Sequence, residues 1–292
     1  MSEVTVWGID FTSAPRAKKP IVVIGAEVNG EKVTPLEYRT FTTLNTFATW
    51  LNTQPHGVIA IDAPFGQPRK LLENWHIIKG SRSWTDYVSR LSGLSKTDFA
   101  DELDHYRALR PKGDKHHLRR CDRLAGACSP MMLYGVPVAK MFFVLAPMLL
   151  RANVNLPPLR VTASACSCLE AYPALVVNAL WDGKAPAYKS DSRSKQTADK
   201  EDARATLMHR LHSGRLHSRR LHSGRLHVGV YGLTVQPSQF DTMFITDPTG
   251  DALDALFACV QAAWAVRQDN FGIPPQVDAL EGWIADPLLT HC

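Results

Sequence analysis

The chain holds 292 residues, of which 45% are hydrophobic, 21% charged and 9% aromatic; that balance builds a globular core and excludes disorder as the main state. Its formal charge of +5 arises from 33 Lys and Arg against 28 Asp and Glu. Five arginines and no acid lie in residues 209–229 (Arg210, Arg215, Arg219, Arg220, Arg225), so the rest is neutral, which argues against a general polyanion-binding surface.

The predicted elements begin with β-like alternation over residues 4–11, 20–28 and 32–41, with Asn29-Gly30 as a hairpin signal between the second and third. Leu44, Phe47, Trp50 and Leu51 then recur at helical spacing, and residues 56–62 form the short apolar run of a strand buried on both faces. Meander, helix and buried strand are the first half of an α/β domain. Residues 65–158 turn helical and irregular and read as a helical insertion or cap within one domain spanning residues 1–292. A strand is expected in 161–171, a helix start at 173–181, and a last helix over 252–266 with Asp247-Pro248 at its N-terminus.

The opening segment carries neither a basic stretch nor a long apolar run, so no export signal is visible and a cytoplasmic protein is expected. The most apolar stretch, residues 131–150, contains Pro137, Lys140 and Pro147, which suits buried helices better than a membrane span. Six cysteines without a CxxC pair read as reduced thiols, with no disulfide-linked partner.

Residues 210–229 repeat with a period of five (Arg-Leu-His-Ser-Gly and variants). Five residues advance a helix by about 140° and flip faces on a strand, so these leucines form no single apolar stripe. The plain reading is an expanded surface segment over 209–229; the sharper one is a basic arm in which Arg215 and Arg220 contact phosphates. Metal binding by its histidines is weaker, because pairs on one helix face need a spacing of three or four.

Two predicted strands end in an aspartate. Val4, Val6, Gly8 and Asp10 share one face of the first strand, and Val58, Ala60 and Asp62 one face of the buried strand. Open α/β sheets place their ligands where such strands leave the sheet. On the last helix Asp251 and Asp254 are three apart, opposite Leu253, Phe257, Val260 and Trp264, so the helix is expected to pack by one side and present carboxylates by the other. Glu170, near the end of the late strand, is a candidate further ligand or base. Each acid alone also suits a cap or a helix dipole. As a group they repel one another and call for a hard cation, Mg²⁺ or Mn²⁺.

Trp7-Gly-Ile-Asp10-Phe, Ile61-Asp62-Ala-Pro-Phe-Gly66, Arg119-Arg-Cys-Asp122, Glu170-Ala-Tyr-Pro173, Gly250-Asp-Ala-Leu-Asp254-Ala-Leu256 and Glu281-Gly-Trp-Ile284 follow one another along the chain. In that succession the sequence resembles the family numbered 429 among the domains of unknown function, described as a predicted nuclease of RNase H-like fold. The resemblance runs from Trp7 to Pro287. It implies a mixed central sheet flanked by helices, with Asp10, Asp62 and the pair Asp251 and Asp254 matching the family's acids. The pentad repeat is not part of that pattern.

Together these readings favour a metal-dependent nuclease or related phosphodiester hydrolase, with Asp10, Asp62, Asp251 and Asp254 as ligands and nucleic acid as partner. Arg119 and Arg120 are either phosphate contacts or members of a surface ion pair. An actin-like ATPase or sugar-kinase relative is disfavoured: Gly8-Ile-Asp10-Phe-Thr12-Ser13 lacks the glycine after the acid, and the chain is short for two such domains. The alternative from another class is a catalytically silent nucleic-acid-binding or adaptor protein. No P-loop, GxGxxG, HExxH or GxSxG is present.

Overall fold

The computed structural model describes residues 3–54, 56–181, 185–214 and 231–290. Strands β1 (Val4–Asp10), β2 (Ile21–Asn29) and β3 (Lys32–Phe41) form the expected antiparallel meander. Gly30 turns the hairpin at φ 60°, a left-handed conformation that glycine adopts without a Cβ penalty. Helix α1 (Leu44–Asn52) starts where Thr43 accepts a hydrogen bond from the Thr46 backbone N–H at 3.2 Å, and it buries Phe47, Trp50 and Leu51.

β4 (Gly57–Asp62) returns parallel to β1. Five helices follow: α2 (Arg69–Asn74), α3 (Trp84–Leu91), α4 (Lys96–Ala108), α5 (Arg120–Ala125) and α6 (Val138–Arg151). Only then does β5 (Cys166–Glu170) join β4 in parallel. It is shorter than its apolar pattern suggests. Thr162 donates its backbone N–H to Asn155 Oδ1 at 3.0 Å and Ser164 its hydroxyl to Asn153 O at 2.7 Å, local bonds that compete with a ladder. The chain continues through α7 (Pro173–Leu180), α8 (Ala198–His212), β6 (Thr234–Val235), α9 (Asp241–Thr246) and α10 (Asp251–Ala265). β6 is a strand that sequence pattern did not predict, since two residues are too few to alternate.

The mixed sheet runs β5-β4-β1-β2-β3-β6 and has an RNase H-like α/β pattern. Side chains on one face, including Val6, Ile24, Val58 and Ala60, pack against α7 to α10. Those on the other, including Trp7, Ile9, Ile59 and Ile61, pack against α1 to α4 and α6. Among the described residues no helix is long and apolar enough to cross a membrane; the stretch at 131–150 supplies α6, whose Phe142, Leu145 and Leu149 are core. Cys121, Cys128, Cys166, Cys168 and Cys259 are free thiols.

One expectation needs correction. α10 is buried all round, all fifteen residues of it, so its acidic side faces protein and not solvent. Of the pentad repeat only the start is described. Residues 209–212 close α8, Leu211 is core, and the Arg210 guanidinium sits 4.2 Å from the Trp181 ring centre while donating to Leu180 O at 2.5 Å. The rest of the repeat, with Arg215 and Arg220, lies outside the described residues.

α10 crosses β1 at very short range because Gly8 has no side chain. A Cβ there would lie 2.0 Å from the Ala255 carbonyl oxygen and 2.1 Å from the Cys259 nitrogen, both backbone atoms that cannot rotate away. We therefore expect Gly8→Ala to lower stability by about 3 kcal/mol or more, at the upper end of overpacking effects, read from the urea midpoint.

Candidate metal centre

The parallel ladder of β1 and β4 ends by pairing Asp10 with Asp62. Residues paired across a ladder share a face, so both carboxylates leave the sheet together, on the side covered by α10. The first turn of α10 adds Asp254. One oxygen from each of Asp10, Asp62 and Asp254 lies within 4.8 Å of the other two. The helix starts here because Asp247 accepts hydrogen bonds from the backbone N–H groups of Thr249 (3.0 Å) and Ala252 (3.1 Å), the N-terminal role its Asp-Pro sequence suggests.

Asp251 stands beside this group and binds Lys19 Nζ at 2.6 Å; Lys19 also reaches Asp191 at 2.9 Å. Asp254 is paired with the Lys189 ammonium and accepts a 2.5 Å hydrogen bond from the Tyr188 hydroxyl. Sequence reasoning missed Lys19, Tyr188 and Lys189. None lies in a periodic element that would mark its direction. Lys19 closes a tight turn through mutual 3.0 Å bonds with Arg16, and buried Arg204 on α8 donates to the Tyr188 carbonyl at 2.7 Å. Ser190 ties the same segment to the start of α10 through Pro248 O at 3.1 Å.

Glu170 does not join the triad. The β4–β5 register pairs it with Ile61, so it points to the opposite face from Asp62. There it accepts two bonds from the Arg119 guanidinium, at 2.7 and 2.5 Å, and one from the Phe65 backbone N–H at 3.0 Å. Arg119 is only 1% exposed and its remaining donors go to Asp122 and to Glu281 O, leaving none for a phosphate. The expected phosphate contact or surface pair is in fact a buried network. Arg120 is exposed; its backbone N–H binds Glu281 Oε2 at 3.1 Å and its guanidinium lies 6.0 Å from the Trp283 ring centre.

A family model for DUF429, a protein of unknown function, matches residues 8–279, a span that includes all four aspartates and Arg119, Asp122 and Glu170. The chain belongs to the DUF429 family. No curated protein and no solved structure matches it.

In this DUF429 chain the acids sit in an unfavourable field. Burial, then the charges of Asp251, Asp254 and Asp62, push Asp10 well above the usual carboxylate range, against the pull of Lys19. Burial, helped by Asp254, lifts Asp62 to about 7 although Lys189 opposes it. Burial acts to deprotonate Lys189, but Asp254, Tyr188 and Asp10 outweigh it and hold the ammonium above its ordinary range. Lys19 and Lys189 thus pair with Asp251 and Asp254, while Asp10 and Asp62 have no ion-pair partner among the described residues and are held towards their protonated forms. The donors are all hard oxygens, the set that Mg²⁺ or Mn²⁺ takes.

Two outcomes follow from these fields. Asp62 holds its proton in the folded chain up to about 7, whereas an unfolded aspartate loses it near 3.8. Its contribution to stability is therefore full below about pH 4 and lost as pH rises towards 7. Asp62→Asn should flatten the fall in urea midpoint of the metal-free protein between about pH 5 and pH 8, raising stability at the upper end. Arg119→Ala, by contrast, leaves Glu170 and Asp122 buried without a counter-charge, and should cost about 3–5 kcal/mol in the same measurement.

Proposed function

We propose that this chain is a divalent-metal-dependent phosphodiester hydrolase of the nuclease type, working at the Asp10, Asp62 and Asp254 triad. The observation that carries the reading is the convergence of acids: three carboxylates meet within 4.8 Å, with a fourth alongside, at the end of two parallel strands. Asp10, Asp62 and Asp254 would hold Mg²⁺ or Mn²⁺, with Asp251 contributing beside Asp10. Bound there, the ion supplies Lewis-acid polarisation of the phosphoryl oxygens and a more acidic water.

The chain's own residues do the rest. Lys19 and Lys189 bring positive charge to the mouth of the site, where a phosphodiester must approach four acids. Gly8 and the Asp247 cap hold α10, and hence Asp254, in place. Hydrolysis adds a water oxygen to phosphorus and breaks one P–O ester bond, and the proton released by the water ends on the leaving oxygen. Nucleic acid is the substrate class that fits this chemistry. Buried Arg119 takes no part in it, so contacts to a strand fall to exposed groups such as Arg120.

One observation favours the silent alternative. The Lys189 ammonium already sits on Asp254, as a residue would that neutralises an acid cluster in place of an ion. Asp10→Asn separates the readings. We expect it to abolish Mg²⁺- or Mn²⁺-dependent cleavage of single-stranded oligonucleotides while barely moving the thermal midpoint in metal-free buffer. Added Mn²⁺ should stabilise the wild type and not the variant, because an ion that binds only the native state raises stability by mass action. A wild type that neither cleaves nor responds to metal would leave the silent reading in possession, and cleavage that survives the substitution would overturn the triad as its site.

A further inference from the structure

Next to the triad a cavity of about 380 Å³ opens between the β4–α2 loop, the start of α6 and the β5–α7 turn. Asp62, Tyr188 and Lys189 form one end of it, so it is continuous with the metal centre. Its walls are of another kind: Pro64, Cys128, Val136, Val138, Met141 and Tyr172. Arg119, Asp122 and Glu170 also line it, but their charges are spent on one another. Val136 is 59% exposed at this opening, an apolar side chain with little covering it.

A groove made for a duplex backbone would line the space beside its metal with cations and hydrogen-bond donors. Apart from the matched trio of Arg119, Asp122 and Glu170, this space combines Asp62, Tyr188 and Lys189 with apolar residues and Tyr172. A ligand that matches it has a phosphate at one end and a flat, weakly polar ring within a few ångströms of it. The volume lies at the small end of small-molecule sites, which run from about 300 to about 1,000 Å³.

We propose that the pocket receives the base of a single nucleotide unit, stacked on Tyr172, whose phosphate lies at Lys189 and the triad. The proposal rests on the hydrolase reading and narrows it: the substrate is engaged one nucleotide unit at a time, at the end of a single strand and not as a paired duplex, and a free mononucleotide fits the same pocket as a product.

Binding to the full-length, Mn²⁺-loaded protein tests this. Adenosine 5′-monophosphate should bind at least about tenfold more tightly than ribose 5-phosphate, since stacking a base on an aromatic ring is worth about that much or more. Cys128→Trp and Val136→Trp, each at an exposed loop position, fill the pocket without touching the triad. They should erase that advantage, with affinity for Mn²⁺ and for ribose 5-phosphate unchanged. The source of the nucleotide is read from a short single-stranded oligonucleotide and the same strand lacking its terminal base. Tighter binding than the mononucleotide, lost with that base, supports a strand end as the substrate; no gain overturns it. Equal binding of the two monophosphates, or base-dependent binding that both tryptophans leave intact, overturns the pocket while metal-dependent cleavage keeps the hydrolase reading. Failure of Mn²⁺ to bind the wild type overturns both.

Discussion

The contact between Gly8 and the backbone of α10 is the constraint from which the rest of the candidate site follows. With 2.0 Å between a notional Gly8 Cβ and Ala255 O, strand and helix touch main chain to main chain. A helix held so close to β1 is covered on every side, which explains why α10 is rich in alanine and carries no basic residue. The same closeness sets Asp254, one residue before the contact, level with the end of β1. Asp10 is two residues beyond Gly8 and on the same face, so one missing side chain brings together acids that are 244 positions apart.

Electrostatics then divides the neighbourhood in two. On one face of the sheet Arg119 meets Asp122 and Glu170 in a network whose donors and charges are matched, and the group is sealed from solvent. On the other face Lys19 and Lys189 pair with Asp251 and Asp254, and Asp10 and Asp62 are left without an ion-pair partner among the described residues. Buried charge that is fully paired confers specificity of fold; buried charge that is under-paired is a demand for something from outside. The chain places these two arrangements within a few residues of each other, separated by the parity of β5. Glu170 is matched to Ile61 and not to Asp62, and that single step of register decides which set it joins.

That parity also shows where sequence reasoning reached and where it stopped. Alternation in β1 and β4 was enough to put Asp10 and Asp62 on one face, because each strand is flanked by clear turn signals and both are strongly apolar. Spacing in α10 was enough to show Asp251 and Asp254 side by side. Glu170 sits at the end of a five-residue strand whose start the apolar pattern blurred, so its face was not legible. Lys19 and Lys189 were invisible for a different reason. They lie in segments fixed by single hydrogen bonds, such as Ser190 to Pro248, and nothing in a linear pattern encodes those. The all-round burial of α10 was also missed. Its charged first turn reads as solvent-facing unless the glycine opposite it is recognised as a docking point.

The two lysines bear on how such a site folds at all. Four carboxylates drawn into a poorly solvated corner destabilise the native chain before any ion arrives, and protonation of Asp10 and Asp62 relieves this only partly. Lys19 and Lys189 offset more of it, and each comes from a segment outside the regular elements, where a long side chain can swing without disturbing the sheet. A chain built this way can assemble its acid cluster without metal and still offer it to a stronger cation, because the interim partners are tethered at their far ends only. Of the two, Lys189 also lines the apolar pocket. Under the proposed function, an ion on the carboxylates would leave that ammonium where an incoming phosphate needs positive charge.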